Sequence, residues 1–410
     1  MPSTNKKKII NDPVWGFIAI KNEECFDLIE HPYFQRLRRI KQLGLTHLVY
    51  PGALHTRFHH SLGAMHLMGQ ALEVIKAKGT QISEEESLAA CLAILLHDLG
   101  HGPFSHALET TIVSGVSHEE LTDLFLAELS HEFKGLELAL RMFRGEYPRK
   151  FFSSLIAGQL DMDRLDYLRR DSFFTGVSEG QVGSERLIKM LNVQDDTLVV
   201  DEKGLLSVEH FLLARRIMYW QVYLHKTVLA AESLLINILR RAQYLAAQGA
   251  QLFATPHFFR FLRKQYSLAD FHNDPTLLHS FARIDDFDVF SSIKAWTEHE
   301  DRILSSLSRY LVDRKLFRIY QSSQPFEKEF IDNFSHTVER QLGLRPGEGQ
   351  WFVATGTAST NIYDSKNAPV YLREASGRLT ELSLKGNPLP PEIVETRYYI
   401  CYPRELDINF

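Results

Sequence analysis

The amino-acid sequence predicts a mainly α fold, with a helical core, an inserted β-hairpin and a small C-terminal α+β appendage. Over residues 23–241 the apolar side chains follow helical spacing and prolines are few. Residues 191–206 break this spacing with strand-like alternation and with turn signals at 195–196 and 203–204. Alternation and β-branched residues return near the C-terminus. We therefore expect an N-terminal segment (1–22), a main helical domain (23–250), a helical extension (251–344) and a small α+β region (345–410).

The composition is that of a globular protein with a large core. The 410 residues are 44% hydrophobic and 11% aromatic. A net charge of −5 argues against a dedicated nucleic-acid-binding protein. The three cysteines, Cys25, Cys91 and Cys401, have no paired spacing, which argues against both a disulfide framework and a thiolate zinc site. With no signal-peptide pattern and no apolar run near the roughly 18 residues that span a bilayer, we expect a soluble protein of the reducing cytoplasm.

One helix ends in a histidine beside a carboxylate. A capping-box pattern at 83–86 starts this helix, and its apolar run over 88–96 stops at His97-Asp98. Imidazole and carboxylate are ligands that Zn, Mn, Fe and Ni accept when no thiolate is offered. Two further polar clusters, at 55–63 and 160–171, lie in helical sequence and can supply the missing ligands. Each residue alone is compatible with a structural role, but the three clusters together favour a metal site.

These motifs resemble those of the HD-domain phosphohydrolases, specifically the deoxynucleoside triphosphate triphosphohydrolase branch. The resemblance rests on RFHHSLG, HDLGHGPFSH and DRLDY, and it extends to INDPVWG, FQRLRRIKQLG and YLHK. It covers about the first 240 residues, and beyond about residue 250 only a general likeness to bacterial members remains. The resemblance implies that residues 23–250 form an HD-type catalytic helical domain.

The resemblance also implies a set of four metal ligands: His60, His97, Asp98 and Asp163. They would hold one divalent transition metal, Mn, Fe, Zn or Ni. Four ligands of this type leave positions for water or a phosphate oxygen, as a catalytic ion requires. Mg would accompany the substrate triphosphate.

Catalytic and substrate-binding positions follow from the same likeness. His106 matches the general acid, and histidine titrates in the range that proton transfer requires. His101, His118 and Glu119 would assist the attacking water or contact phosphate, although His101 and His118 are also compatible with merely stabilising phosphate or the loop. Glu109 stands where related enzymes carry aspartate. The positions that match phosphate, sugar and base contacts are Gln42, Leu43, Arg57, Arg164, Tyr167, Asp171, Arg215 and Tyr223.

A regulatory site is implied near the N-terminus. The positions that resemble the family's activating-nucleotide site, between subunits of a homotetramer, are Lys8, Asn11, Glu30, Gln35 and Arg38. Phe17 departs from a histidine found there. The basic residues of the 36–41 stretch are scattered around a helix axis by their spacing, so most of them are expected to face solvent.

We expect a metal-dependent hydrolase that cleaves deoxynucleoside triphosphates to deoxynucleoside and inorganic triphosphate. The alternatives are a phosphodiesterase or nucleotidase acting on another nucleotide, and a non-catalytic nucleotide-sensing module. Tyr167 lies four residues after Asp163, on the same helix face, and it resembles the tyrosine that excludes a 2′ hydroxyl. Its alternative role is that of an ordinary core aromatic.

Overall fold

A computed structural model defines residues 8–104, 106–360, 363, 368–382 and 395–406. The side chains of His106 and Glu395 lie outside the described part of the chain.

Helices dominate the described residues, which confirms the mainly α fold. In the first part of the chain they are α1 (Glu23–Glu30), α2 (Pro32–Gln35), α3 (Arg57–Ala77), α4 (Glu84–Leu96), α5 (His106–Glu109), α6 (His118–Ser130), α7 (Leu136–Phe143), α8 (Lys150–Ala157), α9 (Met162–Thr175), α10 (Ser184–Met190), α11 (Leu205–Met218) and α12 (Lys226–Ala247). Further along they are α13 (Pro256–Arg263), α14 (Leu268–Asn273), α15 (Pro275–Phe281), α16 (Asp286–Trp296), α17 (Arg302–Val312) and α18 (Lys328–Leu342).

The strands form three small sheets. The first is an antiparallel hairpin of β1 (Lys8–Asp12) and β2 (Gly16–Ile20). The second has the order β3 (Leu191–Gln194), β4 (Thr197–Asp201), β7 (Tyr371–Arg373), β8 (Leu379–Glu381). The third has the order β5 (Arg318–Ser322), β9 (Glu395–Tyr402), β6 (Ala354–Thr360).

The inserted hairpin is confirmed, and the sheet that contains it is larger than the sequence indicated. Asp195 and Asp196 have φ of 50° and 54°, the left-handed conformation of a tight hairpin turn between β3 and β4. Residues 203–204 belong instead to a short helical turn, Glu202–Gly204, that leads into α11. β7 pairs in parallel with β4, so C-terminal residues extend the sheet. The helical extension also contains a strand, β5, which pairs with β9.

Helical spacing resumes at residue 208 and continues to 242, which predicts one long helix there, but the chain breaks between α11 and α12. A π-helical turn, Tyr219–Tyr223, is closed by the Leu224 N–H, which donates to the Tyr219 carbonyl at 2.7 Å. The His225 side chain then caps α12 by accepting from the Thr227 N–H at 3.1 Å. Such π turns often occur at functional sites. Among the described residues no single helix has the length and hydropathy of a membrane span, and the bent pair that together meets that test turns by 54°.

Arg36 is the exception to the expectation that most of the basic stretch faces solvent. Its side chain is fully buried, whereas Arg38 and Arg39 are exposed. Its guanidinium donates to the carbonyls of Ile284 (2.9 Å), Leu99 (3.1 Å) and His101 (2.8 Å). Burial lowers the pKa of Arg36 to about 9. Arg36 thus joins the loop after α4 to the segment before α16.

We predict that Arg36→Met lowers the free energy of unfolding by about 2–4 kcal/mol, because three buried carbonyls lose their donor. Arg38→Met is the matched control, since the Arg38 side chain is exposed, and it should change stability by about 1 kcal/mol or less. Thermal or urea unfolding measures both. Equal stability of the two variants would contradict a structural role for Arg36.

Candidate active site

Three helices bring the predicted metal ligands to one point. His60 lies in the first turn of α3, His97 directly follows α4, and Asp163 lies in the first turn of α9. His60 Nε2 is 3.0 Å from Asp163 Oδ1 and 3.3 Å from His97 Nε2. Asp98 joins them, with Oδ1 3.4 Å from His97 Nε2 and Oδ2 3.9 Å from His60 Nε2. Bonds of about 2.0–2.2 Å to one ion bring donor atoms to roughly such separations, so this donor set fits a divalent metal.

Both histidines are oriented by hydrogen bonds on their far side. The Nδ1 of His97 donates to the Ile94 carbonyl at 2.6 Å, and the Nδ1 of His60 donates to Asp166 Oδ2 at 2.8 Å. A neutral imidazole that carries its proton on Nδ1 presents a lone pair at Nε2. Both rings are therefore arranged to bind a metal through Nε2.

Asp166 is the centre of a buried polar network behind His60. Its carboxylate also accepts from Arg170, through Nε at 2.8 Å and Nη2 at 2.9 Å, and from Trp15 Nε1 at 2.5 Å. Arg170 in turn donates to Asp12 Oδ2 at 2.8 Å. Asp166 and Arg170 are fully buried. The β1–β2 hairpin is thereby connected to the metal ligands through side-chain hydrogen bonds.

Close approach of α3 to this network requires glycine at position 63. A Cβ on Gly63 would overlap Asp166 Oδ1 and Arg170 Nη2. The network therefore requires the small residue Gly63 on α3 in addition to the polar residues on α9.

The charges of the cluster stabilise one another. Burial opposes protonation of His60, but hydrogen bonds with Asp163 and Asp166 outweigh it and raise the pKa of His60 to about 10. Burial likewise opposes ionisation of Asp98, yet Arg57 keeps the pKa of Asp98 well below its usual range. Protonated histidine supplies here the positive charge that the carboxylates require. A bound cation would supply the same charge and release those protons.

His101, Glu109 and His118 form a second compact group beside the first. The Nδ1 of His118 donates to Glu109 Oε1 at 2.9 Å, and the rings of His101 and His118 stack with centroids 3.8 Å apart. His101 Nε2 lies 3.3 Å from Asp98 Oδ1, which joins the two groups. Burial and the neighbouring Arg57 lower the pKa of His101 well below its usual value. A neutral imidazole is thus held next to the metal ligands.

The remaining predicted catalytic residues lie at the edge of this group. Glu119 Oε1 is 3.2 Å from His118 Nε2, and the Glu119 side chain is largely exposed. His106 begins α5, but its side chain lies outside the described residues. Its assignment as general acid stays a prediction.

Each predicted phosphate-binding arginine has a polar partner within the protein. The pairs are Arg57 Nη1 with Asp98 Oδ2 at 2.7 Å, Arg164 Nη1 with Asp161 and with the Gly158 carbonyl, and Arg215 Nη1 with Gln159 Oε1 at 3.3 Å. These contacts hold Arg57 against the predicted ligand Asp98, and they hold Arg164 and Arg215 against residues 158–161.

Aromatic and polar side chains lie beside the predicted metal ligands. The Tyr167 ring lies 6.4 Å from the His60 ring and 6.1 Å from the Tyr223 ring, between ring centroids. Tyr223 Oη donates to Asp171 Oδ2 at 2.8 Å, and the other oxygen of Asp171 is 2.7 Å from His55 Nε2. The π-helical turn therefore places Tyr223 against α9.

Gln42 and Leu43 directly precede the short helical turn Gly44–Leu48. The Gln42 backbone N–H donates to the His55 carbonyl at 3.0 Å, and Leu43 packs against the core. The Gln42 Oε1 atom is buried and has no hydrogen-bond partner among the described residues. A buried acceptor of this kind indicates a ligand or water that completes the site.

The predicted regulatory positions lie around the N-terminal hairpin. Lys8 and Asn11 are exposed on β1, and Glu30 is exposed at the end of α1. Arg38 Nε donates to Gln35 Oε1 at 2.9 Å. A nucleotide site between subunits at these positions stays a prediction.

Comparison with known proteins agrees with the geometry. The HD-domain model matches residues 57–175, and the HD-associated region model matches 182–254. An uncharacterized protein of Bacillus subtilis is 32% identical, over 98% of this chain and 93% of its own length. A phosphohydrolase crystal structure from Bacteroides thetaiotaomicron is 47% identical, with a TM-score of 0.93, over 97% of this chain and 100% of that one.

The chain belongs to the HD-domain phosphohydrolase family. The matched HD region includes His60, His97, Asp98 and Asp163. The deoxynucleoside triphosphate triphosphohydrolase SAMHD1 homolog of Dictyostelium discoideum is 30% identical over 61% of this chain and 52% of its own length. The family assignment makes this protein a hydrolase, and its His and Asp groups are arranged to hold a metal.

Several residues that shape the site were not assigned a role from sequence. Asp166 lies three residues after Asp163 and Arg170 four residues after that, and this helical spacing was a usable signal. Asp161 accepts from the Arg164 N–H at 2.7 Å and caps α9. Trp15 had no such signal, because its contact with Asp166 spans 151 residues of chain.

We predict that Asp166→Asn weakens metal binding about 10- to 100-fold, as loss of an orienting hydrogen bond to a metal-bound histidine usually does. Elemental analysis and competition with a chelating dye measure the metal affinity. Asp123→Asn is the matched control, because Asp123 pairs with Arg144 at the surface, and it should bind metal as the parent does. Unchanged metal affinity in a folded Asp166→Asn protein would contradict the orienting role.

Proposed function

We propose that this protein hydrolyses deoxynucleoside triphosphates to deoxynucleoside and inorganic triphosphate. The observation that carries the proposal is the group of side chains that lies next to the predicted metal ligands. Tyr167, Tyr223 and Asp171 combine aromatic surface with a fixed carboxylate, a combination suited to a nucleoside sugar. The resemblance to triphosphohydrolases supports the same substrate class.

The surrounding charges suit a triphosphate. Arg57, Arg164 and Arg215 would move from their protein partners to phosphate oxygens, where bidentate contacts are strong. Asp171 would accept the proton of the 3′ hydroxyl, and the Gln42 amide N–H would donate to the oxygen of the same hydroxyl. Gln42 Oε1, which has no hydrogen-bond partner among the described residues, would accept from a further donor of the ligand or from water.

Hydrolysis requires an activated water and a proton for the leaving oxygen. A metal bound by the four ligands lowers the pKa of water and polarises the phosphoryl group. His118, held by Glu109, and its neighbour Glu119 would orient the water. His106 would donate the proton to the 5′ oxygen.

We predict that each dNTP, incubated singly or mixed with the purified protein and Mg²⁺ or Mn²⁺, yields deoxynucleoside and triphosphate on ion-exchange chromatography. Asp98→Asn should abolish this release, because Asp98 contributes to the metal site rather than to the hydrophobic core. Asp123→Asn should retain the parent turnover. Release of monophosphate or pyrophosphate would instead indicate a phosphodiesterase or nucleotidase. If no nucleotide is hydrolysed, the result would indicate a nucleotide-sensing module.

We predict that Tyr167→Ala narrows the ratio of kcat/KM for dATP over ATP, because the ring that would collide with a 2′ hydroxyl is removed. Tyr167→Phe should keep the ratio, since the ring remains. Steady-state kinetics with both nucleotides measure it. An unchanged ratio in Tyr167→Ala, together with a lowered Tm, would assign the residue to packing alone.

A further inference from the structure

A basic cleft lies between the C-terminal half of α12 and the end of α13, and we call it the α12–α13 cleft. Its volume is about 380 Å³. The polar and aromatic residues that line it are Arg240, Gln243, Tyr244, Arg263, Lys264 and Gln265. None of the described residues that line it carries a carboxylate. Arg240 lies 14 residues after Lys226, the first residue of α12. The two residues are therefore about 21 Å apart along the helix axis.

The cations of this cleft are poorly compensated. Within the part of the chain that the structure describes, Arg240 and Arg263 form no salt bridge, and the nearest carboxylate oxygen to Lys264 Nζ is that of Asp270, at 3.8 Å. The adjacent Arg241, in contrast, is paired with Asp301 at 2.5 Å. Because the whole chain has a net charge of −5, a basic cleft with so few carboxylate partners is a local exception that favours an anionic ligand.

One wall of the cleft is held in place by stacking. The Arg241 guanidinium lies 4.9 Å from the Tyr244 ring centroid and 5.1 Å from that of Trp351, and its pairing with Asp301 fixes its position. Tyr244 nevertheless remains 46% exposed. A positioned and partly open aromatic surface is suited to contact with a flat ring.

We propose that the α12–α13 cleft binds a polyphosphate, either free or carried by a nucleotide. Arg240, Arg263 and Lys264 would contact the phosphate oxygens, since arginine and lysine are the preferred phosphate ligands. Gln243 and Gln265 add amide donors. The volume falls in the range of small-ligand pockets, about 300–1,000 Å³, and suits one nucleotide better than an extended strand. Tyr244 would contact the base when the polyphosphate is part of a nucleotide.

The cleft is connected to the segment that carries His106. Gln243 Nε2 donates to the Thr111 carbonyl at 3.1 Å, and α12 contacts α5. A ligand that draws Gln243 into the cleft would weaken this bond and change the segment between α5 and α6. Binding would therefore alter hydrogen exchange in residues 107–116 as well as in the cleft.

Hydrogen–deuterium exchange of the full-length Asp98→Asn protein tests the proposal without depending on catalysis. Inorganic triphosphate and dATP are the two probes, and protection is expected over residues 240–247 and 262–265. Arg263→Gln/Lys264→Gln should weaken protection of the cleft at least tenfold in apparent Kd, and added salt should weaken it further. Lys203→Gln/Lys294→Gln removes the same charge at exposed positions outside the cleft and should leave the Kd unchanged.

The variant Tyr244→Ala distinguishes a site for free polyphosphate from a site for a nucleotide. A loss of dATP affinity with unchanged triphosphate affinity identifies a nucleotide site, whereas equal affinities for both probes in parent and variant identify a site for free polyphosphate. No protection of the cleft by either probe overturns the proposal. The proposal is also overturned if the cleft of Arg263→Gln/Lys264→Gln is protected by the probes with the same apparent Kd as the cleft of the parent. Protection by a single-stranded oligonucleotide alone overturns it as well.

Discussion

The orientation of His60, one of the four predicted metal ligands, depends on the buried carboxylate of Asp166. A buried charge is stable only when hydrogen bonds and opposite charge replace its lost hydration. Arg170 and Trp15 provide this replacement, and burial is outweighed mainly by Arg170, so that the pKa of Asp166 is held at about 2. The same carboxylate also accepts a hydrogen bond from His60 Nδ1, which orients the imidazole ring. One ionised group thus fixes α3, α9 and the β1–β2 hairpin relative to one another.

The sequence was most informative where local spacing determines geometry. The capping box at 83–86, the hairpin turn at 195–196 and the helix start before His60 all follow from residues within one turn of each other. The four proposed metal ligands were selected by motif, and their proximity then depends only on three helix ends meeting. In the structure the four side chains lie together at these helix ends.

The sequence was least informative where distant parts of the chain decide the environment. Spacing around a helix axis places most of the basic residues of 36–41 in solvent and does not single out Arg36, which is buried and donates to the Ile284 carbonyl, 248 residues away. The π-helical turn at Tyr219–Tyr223 also has no signal in the sequence, since its apolar pattern continues that of a regular helix. Tertiary contacts outweighed local preference in both places.

The parallel pairing of β4 with β7 has a consequence for the order of folding. The sheet that begins within the helical domain is completed by residues 371–373, and β5 pairs with a strand at 395–402. During synthesis, both β4 and β5 leave the ribosome well before their partners, with open edges that invite pairing with other chains. The growing chain would therefore pass through a stage in which β4 and β5 each have an unpaired edge, and a chaperone that covers these edges would prevent pairing with other chains.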